Sequence, residues 1–186
     1  MQTFDLATLL TLQLGLTSAL SIPSANLKRS IVSDVVLYAY GQGATDWPIS
    51  YGLNDSQLYI TSNPNDTAAN LAPVTWSLSS ITDENWMANA TLATNGTDLG
   101  SLYIMHDDAF HSVGVSEVAT ISKMNGTVTG FGLFATQLVY NDNSNLESQF
   151  WAQPTDTDGI YSLMWNADGG MQDGIFPVLL KYGTAT

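Results

Sequence analysis

Apolar and polar positions alternate with a two-residue period through most of the chain beyond Asp34, in short runs rich in β-branched and aromatic residues. The runs are Asp34–Tyr40, Ile49–Leu53, Gln57–Thr61, Val74–Leu78, Trp86–Ala93, Ser101–Met105, Ser112–Glu117, a kinked Val128–Tyr140, Glu147–Gln153, Gly159–Asn166 and Phe176–Tyr182. Between them lie residues that tolerate positive φ, such as Leu53-Asn54-Asp55-Ser56, Thr94-Asn95-Gly96 and Asp156-Thr157-Asp158-Gly159. About ten strands at this spacing predict an all-β domain, a single antiparallel β-barrel or β-sandwich over residues 30–186. No helical periodicity competes, apart from a turn at Asp83–Met87 that Thr82 or Asp83 could cap. The polar stretch Asn141-Asp142-Asn143-Ser144-Asn145 reads as a long connection, a mobile or binding loop.

The amino-terminal segment departs from this pattern. A leucine-rich run from Leu6 to Leu20 contains the small residues Thr17-Ser18-Ala19 and is too short to span a bilayer comfortably, as expected of a secretory signal peptide over 1–19. Its start carries Asp5 and no cation. Lys28-Arg29 reads as a dibasic processing site, making 20–29 a pro-segment. Five Asn-x-Ser/Thr sequons agree with a secretory route, at Asn54, Asn65, Asn89, Asn95 and Asn125. The expected location is the secretory pathway, with an extracellular, vesicular or vacuolar destination, and the expected modification is N-linked glycan.

Charge and cysteine content narrow the function. The formal net charge is −13, and beyond Ser30 the cations are Lys123 and Lys181. Such a surface repels nucleic acid and anionic membranes, so neither is an expected partner. With no cysteine, disulfides, thiolate metal sites and cysteine nucleophiles are all excluded, and stability must come from packing.

Candidate chemistry is sparse. His106-Asp107-Asp108-Ala109-Phe110-His111 gathers both histidines with two carboxylates, but its spacing fits no established ligand pattern, so a hydrogen-bonded turn is the expectation and no metal is assigned. The same cluster could act as a general acid or base. No G-x-S-x-G elbow occurs beyond residue 30, and dinucleotide and phosphate-loop signatures are absent, so no cofactor is expected. A carboxylate pair for glycoside hydrolysis stays open. What remains is aromatic and soft apolar surface. Val36, Tyr38 and Tyr40 share one strand face; Gln137 interrupts an apolar one; and strands Glu147–Gln153 and Gly159–Asn166 are partly apolar on both faces. Mixed aromatic and amide linings of this kind suit a small-molecule pocket, for which Tyr38, Phe134, Gln137 and Met164 are candidate binding residues.

Four segments together, Val35-Val36-Leu37-Tyr38-Ala39-Tyr40-Gly41, Leu53-Asn54-Asp55-Ser56-Gln57-Leu58-Tyr59-Ile60, Gly132-Leu133-Phe134-Ala135-Thr136-Gln137-Leu138-Val139-Tyr140, and Phe150-Trp151-Ala152-Gln153-Pro154 through Gly159-Ile160-Tyr161-Ser162-Leu163-Met164-Trp165-Asn166, resemble a family of small secreted fungal β-proteins. Within that group the pattern is similar to the hetero-Diels-Alderases of tropolone-sesquiterpenoid pathways, although no catalytic motif maps residue by residue. The resemblance implies a secretory leader, no cofactor, and a pericyclic addition on apolar natural-product intermediates. Such chemistry needs a pocket that orients two reactants, worth up to ~7–11 kcal/mol, and a hydrogen-bond donor to polarise the diene. Tyr40, Gln149, Trp151 and Trp165 are the candidate catalytic residues. The rival expectation is a non-catalytic glycoprotein that binds cell-wall glycan or a host protein. Aromatics converging on a cavity would favour the enzyme, and a flat exposed row would favour glycan stacking.

Overall fold

A computed structural model describes residues 30–80, 85–106, 110–121 and 123–184. The expected signal peptide and pro-segment lie outside the described residues, as do Thr82, Asp83, Asp107 and Asp108. The protein is all-β. The fifteen strands are β1 (Ile31–Gly41), β2 (Ala44–Gly52), β3 (Leu58–Thr61), β4 (Leu71–Ser79), β5 (Asn89–Leu92), β6 (Asp98–Met105), β7 (Phe110–Ser112), β8 (Gly114–Ser116), β9 (Gly126–Thr127), β10 (Phe131–Phe134), β11 (Gln137–Asp142), β12 (Asn145–Glu147), β13 (Phe150–Pro154), β14 (Ile160–Asn166) and β15 (Phe176–Thr184), and a helical turn, α1 (Val118–Ile121), follows β8.

Seven strands close a barrel: β4 pairs with β1, then β15, β13, β14, β3 and β2 follow, and β2 returns to β4. All these pairings are antiparallel. Closure depends on β1 changing partners along one edge. Ile31, Val32 and Val35 pair with β4, whereas Tyr38 to Gly41 pair with β2. Register shifts lie beside both contacts, one between Val32 and Val35 and one between Ala39 and Tyr40. At these places Asp34 (φ 57°) and, on the facing strand, Asp46 (φ 62°) take left-handed conformations that an Asp side chain tolerates. Extra residues of this kind bend and twist a strand, and here they turn β1 from one stretch of sheet into the next. Strands β5, β6 and β8 extend the sheet from β4, and β11 and β10 extend it from β15.

The alternation seen in the sequence points one face of each strand inward. Leu37, Ala39, Leu58, Ile60, Trp76, Leu78, Leu102, Leu138, Phe150, Leu163, Trp165 and Leu180 belong to one buried cluster. Trp165 sits at its centre, with Phe150 edge-on at 5.1 Å and Tyr140 edge-on at 5.8 Å, and Phe131 5.5 Å beyond Tyr140. The barrel interior is thus occupied by interlocking aromatic and aliphatic side chains, as expected of a barrel this small.

Three segments differ from the sequence expectation. The polar stretch 141–145 is not a long loop: Asp142 pairs with Asn145, and the two residues between, Asn143 (φ 48°) and Ser144 (φ 73°), form a tight hairpin turn. Two consecutive positive φ values match the twist of the flanking strands. The kink expected in 128–140 is a second hairpin, in which Ala135 (φ 56°) lies between the paired Phe134 and Gln137. Helical structure occurs at Val118–Ile121; of the turn expected at 83–87, residues 85–87 are described and lie outside helix, and Asp83 and Glu84 lie outside the described residues.

Candidate functional site

Directly opposed residues on neighbouring strands point to the same side of a sheet. Following that rule outward from Tyr38 gives a continuous row. Tyr38 on β1 faces Pro48 on β2 and Lys181 on β15; Lys181 faces Gln137 on β11; Gln137 faces Phe134 on β10. The flanking residues Leu37, Ala39, Leu180, Leu138 and Leu133 are buried, so this row faces solvent. Five strands at ~4.8 Å spacing make it roughly 19 Å long. One step along the strands, Tyr40 faces Thr45 and Leu179 and extends the surface. Phe134 is 64% exposed and Leu179 41% exposed, so both present apolar surface on this face.

The side chains of this face hold one another in place. Lys181 Nζ lies 5.1 Å from the centre of the Tyr40 ring, within cation–π range. The Tyr40 hydroxyl donates to Asp46 Oδ1 at 2.7 Å. That hydrogen bond, with smaller contributions from burial and the Asp46 charge, pushes the phenol above its ordinary value. Beside it the Tyr38 ring lies against Gly183, where a Cβ would stand 3.0 Å from ring carbon Cε2. A glycine on the adjacent strand lets the ring approach the backbone of β15 closely.

Four sequence candidates, Tyr38, Tyr40, Phe134 and Gln137, therefore share this one outer face, and none of them lines an interior cavity. The other four lie elsewhere. Trp165 is 1% exposed in the core, because the inward register of β14 takes Leu163 and Trp165 together. Trp151 and Met164 are opposed across β13 and β14 on the outer side of the barrel wall, yet both are buried. Side chains of β7 cover this part of the wall: the strand pairs along the edge of β14, Phe110 stands edge-on to Trp151 at 5.5 Å, and Ser112 Oγ donates to Met164 Sδ at 3.7 Å. This cover explains why β13 and β14 read as apolar on both faces.

Gln149 belongs to a small polar group at one end of the barrel. Its Nε2 donates weakly to Glu147 Oε2 at 3.5 Å, and its Oε1 is buried without a hydrogen-bond partner. Burial, followed by the nearby charge of Asp142, pushes the Glu147 carboxyl up, while His106 pulls it down. The His106 ring stands 6.0 Å from that of Tyr140. His111 lies on β7 opposite Trp165, so the two histidines belong to different segments of the wall. No group of three or more His, Asp or Glu side chains able to hold a metal occurs among the described residues.

All five sequon asparagines are exposed. They lie in the β2–β3 turn, the β3–β4 connection, β5, the β5–β6 turn and the turn before β9, on elements other than β1, β10, β11 and β15.

The sequence candidates omit Lys181, Gly183 and Glu147. The first two were accessible from the alternation of β15, which sets Leu179, Lys181 and Gly183 opposite Val178 and Leu180. Comparison with protein-family models, curated proteins and solved structures finds no match to this chain.

Proposed function

We propose that this protein is a secreted binding protein that takes a neutral glycan, such as a cell-wall polysaccharide, on the outer face formed by β2, β1, β15, β11 and β10. The observation that carries this reading is the solvent-facing row Tyr38–Lys181–Gln137–Phe134. Flat aromatic rings offer apolar area to the C–H faces of sugars, while Lys181 and Gln137 between them offer hydrogen-bond donors to hydroxyls. A net charge of −13 disfavours polyanionic polysaccharides and leaves neutral ones. The sequons support the same face, because glycans at those five positions would be attached to other strands and turns.

The test is binding of the deglycosylated protein to a panel of soluble and insoluble neutral glycans, repeated with Tyr38→Ala and Phe134→Ala. Binding weakened about tenfold or more by each substitution, with the thermal midpoint nearly unchanged, supports the proposal. Absence of glycan binding by the unaltered chain, or binding by the two variants as tight as that of the unaltered chain, defeats it.

A second reading, a cofactor-free pericyclase acting on apolar natural-product intermediates, draws on the barrel end. Gln149 Nε2, engaged only weakly by Glu147 Oε2, is a donor that could polarise a carbonyl substrate, and the unpartnered buried Oε1 is an acceptor that could orient a hydroxyl. Native mass spectrometry after incubation with an extract of the producing organism separates the two. A retained apolar metabolite, lost in Gln149→Ala and kept in Tyr38→Ala, would favour the pericyclase.

A further inference from the structure

We propose that the N-linked glycan on Asn89, unlike those on the other four sequons, folds back onto the protein and seats its first N-acetylglucosamine in the trough between β5, β6 and β8. The inference rests on the secretory part of the reading above, since only a chain passing through that pathway acquires the glycan.

The trough is built by a second row of opposed residues: Asn89 on β5 faces Ser101 on β6, which faces Ser116 on β8. Two serines beside one asparagine leave a depression where larger side chains would form a ridge. Gly100 deepens it, because a Cβ there would stand 2.6 Å from the Ser116 carbonyl oxygen, so only glycine permits β6 and β8 this close an approach. The result is an open groove of about 510 Å³.

Both functional residues of the sequon, Asn89 and Thr91, line this groove. Ser101 Oγ donates to Asn89 Oδ1 at 2.8 Å, which fixes the amide plane and leaves Nδ2, the atom that carries the sugar, as its other end. The groove surroundings suit an N-acetylhexosamine. The Asp98 and Glu117 carboxylates can accept from sugar hydroxyls and from the acetamido N–H, and Val118, 47% exposed, offers apolar contact to a ring face or methyl. By contrast Asn54, Asn65, Asn95 and Asn125 all lie in turns, from which a glycan extends into water.

The experiment uses the full chain secreted from a glycosylating host, treated with an endoglycosidase first in its native state and then denatured, with release followed at each sequon by peptide mass spectrometry. The expected result is that Asn89 is released at least tenfold more slowly than Asn95 in the native protein, that the two rates converge after denaturation, and that Glu117→Ala narrows the native difference. Equal native rates at Asn89 and Asn95 would overturn the proposal. So would an Asn89 left bare while the other sequons carry glycan. A secreted protein with no glycan at any sequon would defeat it through the secretory premise, whereas loss of glycan binding at the Tyr38 face alone would leave it standing.

Discussion

The Tyr38 ring packs against Gly183, a residue of the neighbouring strand, where a methyl group would stand 3.0 Å from ring carbon Cε2 and the ring would have to shift by a few tenths of an ångström. The position of this aromatic surface on β1 therefore depends on the small size of residue 183 on β15. Gly183→Val should lift the ring, weaken glycan binding several-fold and change the thermal midpoint little, because position 183 faces solvent. Calorimetric binding measurements alongside thermal melts check this, and a large loss of stability without loss of binding would contradict it.

Ser50 is fully buried, and its hydroxyl has no hydrogen-bond partner. An unsatisfied buried hydroxyl costs about 1–3 kcal/mol, so Ser50→Ala should leave stability unchanged or raise it by about 1 kcal/mol. Denaturant unfolding reads the result directly.

Glu147 has its carboxyl pushed up by burial and by Asp142. Folding favours its protonated form, so its stabilising contribution is present at acidic pH below the ordinary glutamate value and is lost as pH rises through the higher folded value. Glu147→Gln, permanently neutral, should raise the thermal midpoint at pH 7 and have a smaller effect at pH 4. Melting curves across that interval check the sign.

At the other pH extreme, the Tyr59 hydroxyl donates to Asp55 Oδ2 at 2.5 Å, and burial together with this bond pushes the phenol up to about 12. Stability from this phenol is complete below pH 10 and declines between about 10 and 12 as the folded protein is forced to ionise it. Tyr59→Phe should flatten that alkaline decline, which pH-dependent unfolding followed by circular dichroism would show.

The strands were largely legible in the sequence because inward residues such as Leu37, Leu138, Leu163 and Trp165 recur at every second position. Turn chemistry was legible at Asn95-Gly96 and less so at Asn143-Ser144, where a run of polar residues conceals a two-residue hairpin behind what composition alone reads as a loop. The site was harder to read. Alternation correctly grouped Val36, Tyr38 and Tyr40, but period alone does not say which face is inside, and the sense of β1 is fixed by Leu37 and Ala39 facing the distant Tyr182 and Leu180. The two-sided apolar character of β13 and β14 arises from cover by β7, a contact between segments far apart in sequence. Pairings such as Lys181 with Gln137 belong to register, which is set only when the barrel closes.

That closure joins β1 to β15, the first and last strands of the described chain. No shorter stretch of the chain holds the ring shut by itself. Strands β2 to β14 can form hairpins as they emerge, but the edge of β1 that will carry Lys181 against Tyr38 stays unsatisfied until the final strand arrives. Closure is therefore a non-local step, and a topology of this kind is expected to fold in the slow millisecond-to-second regime. During that interval the exposed edge of β1 is the place where chaperones would engage the chain or where two chains would join incorrectly.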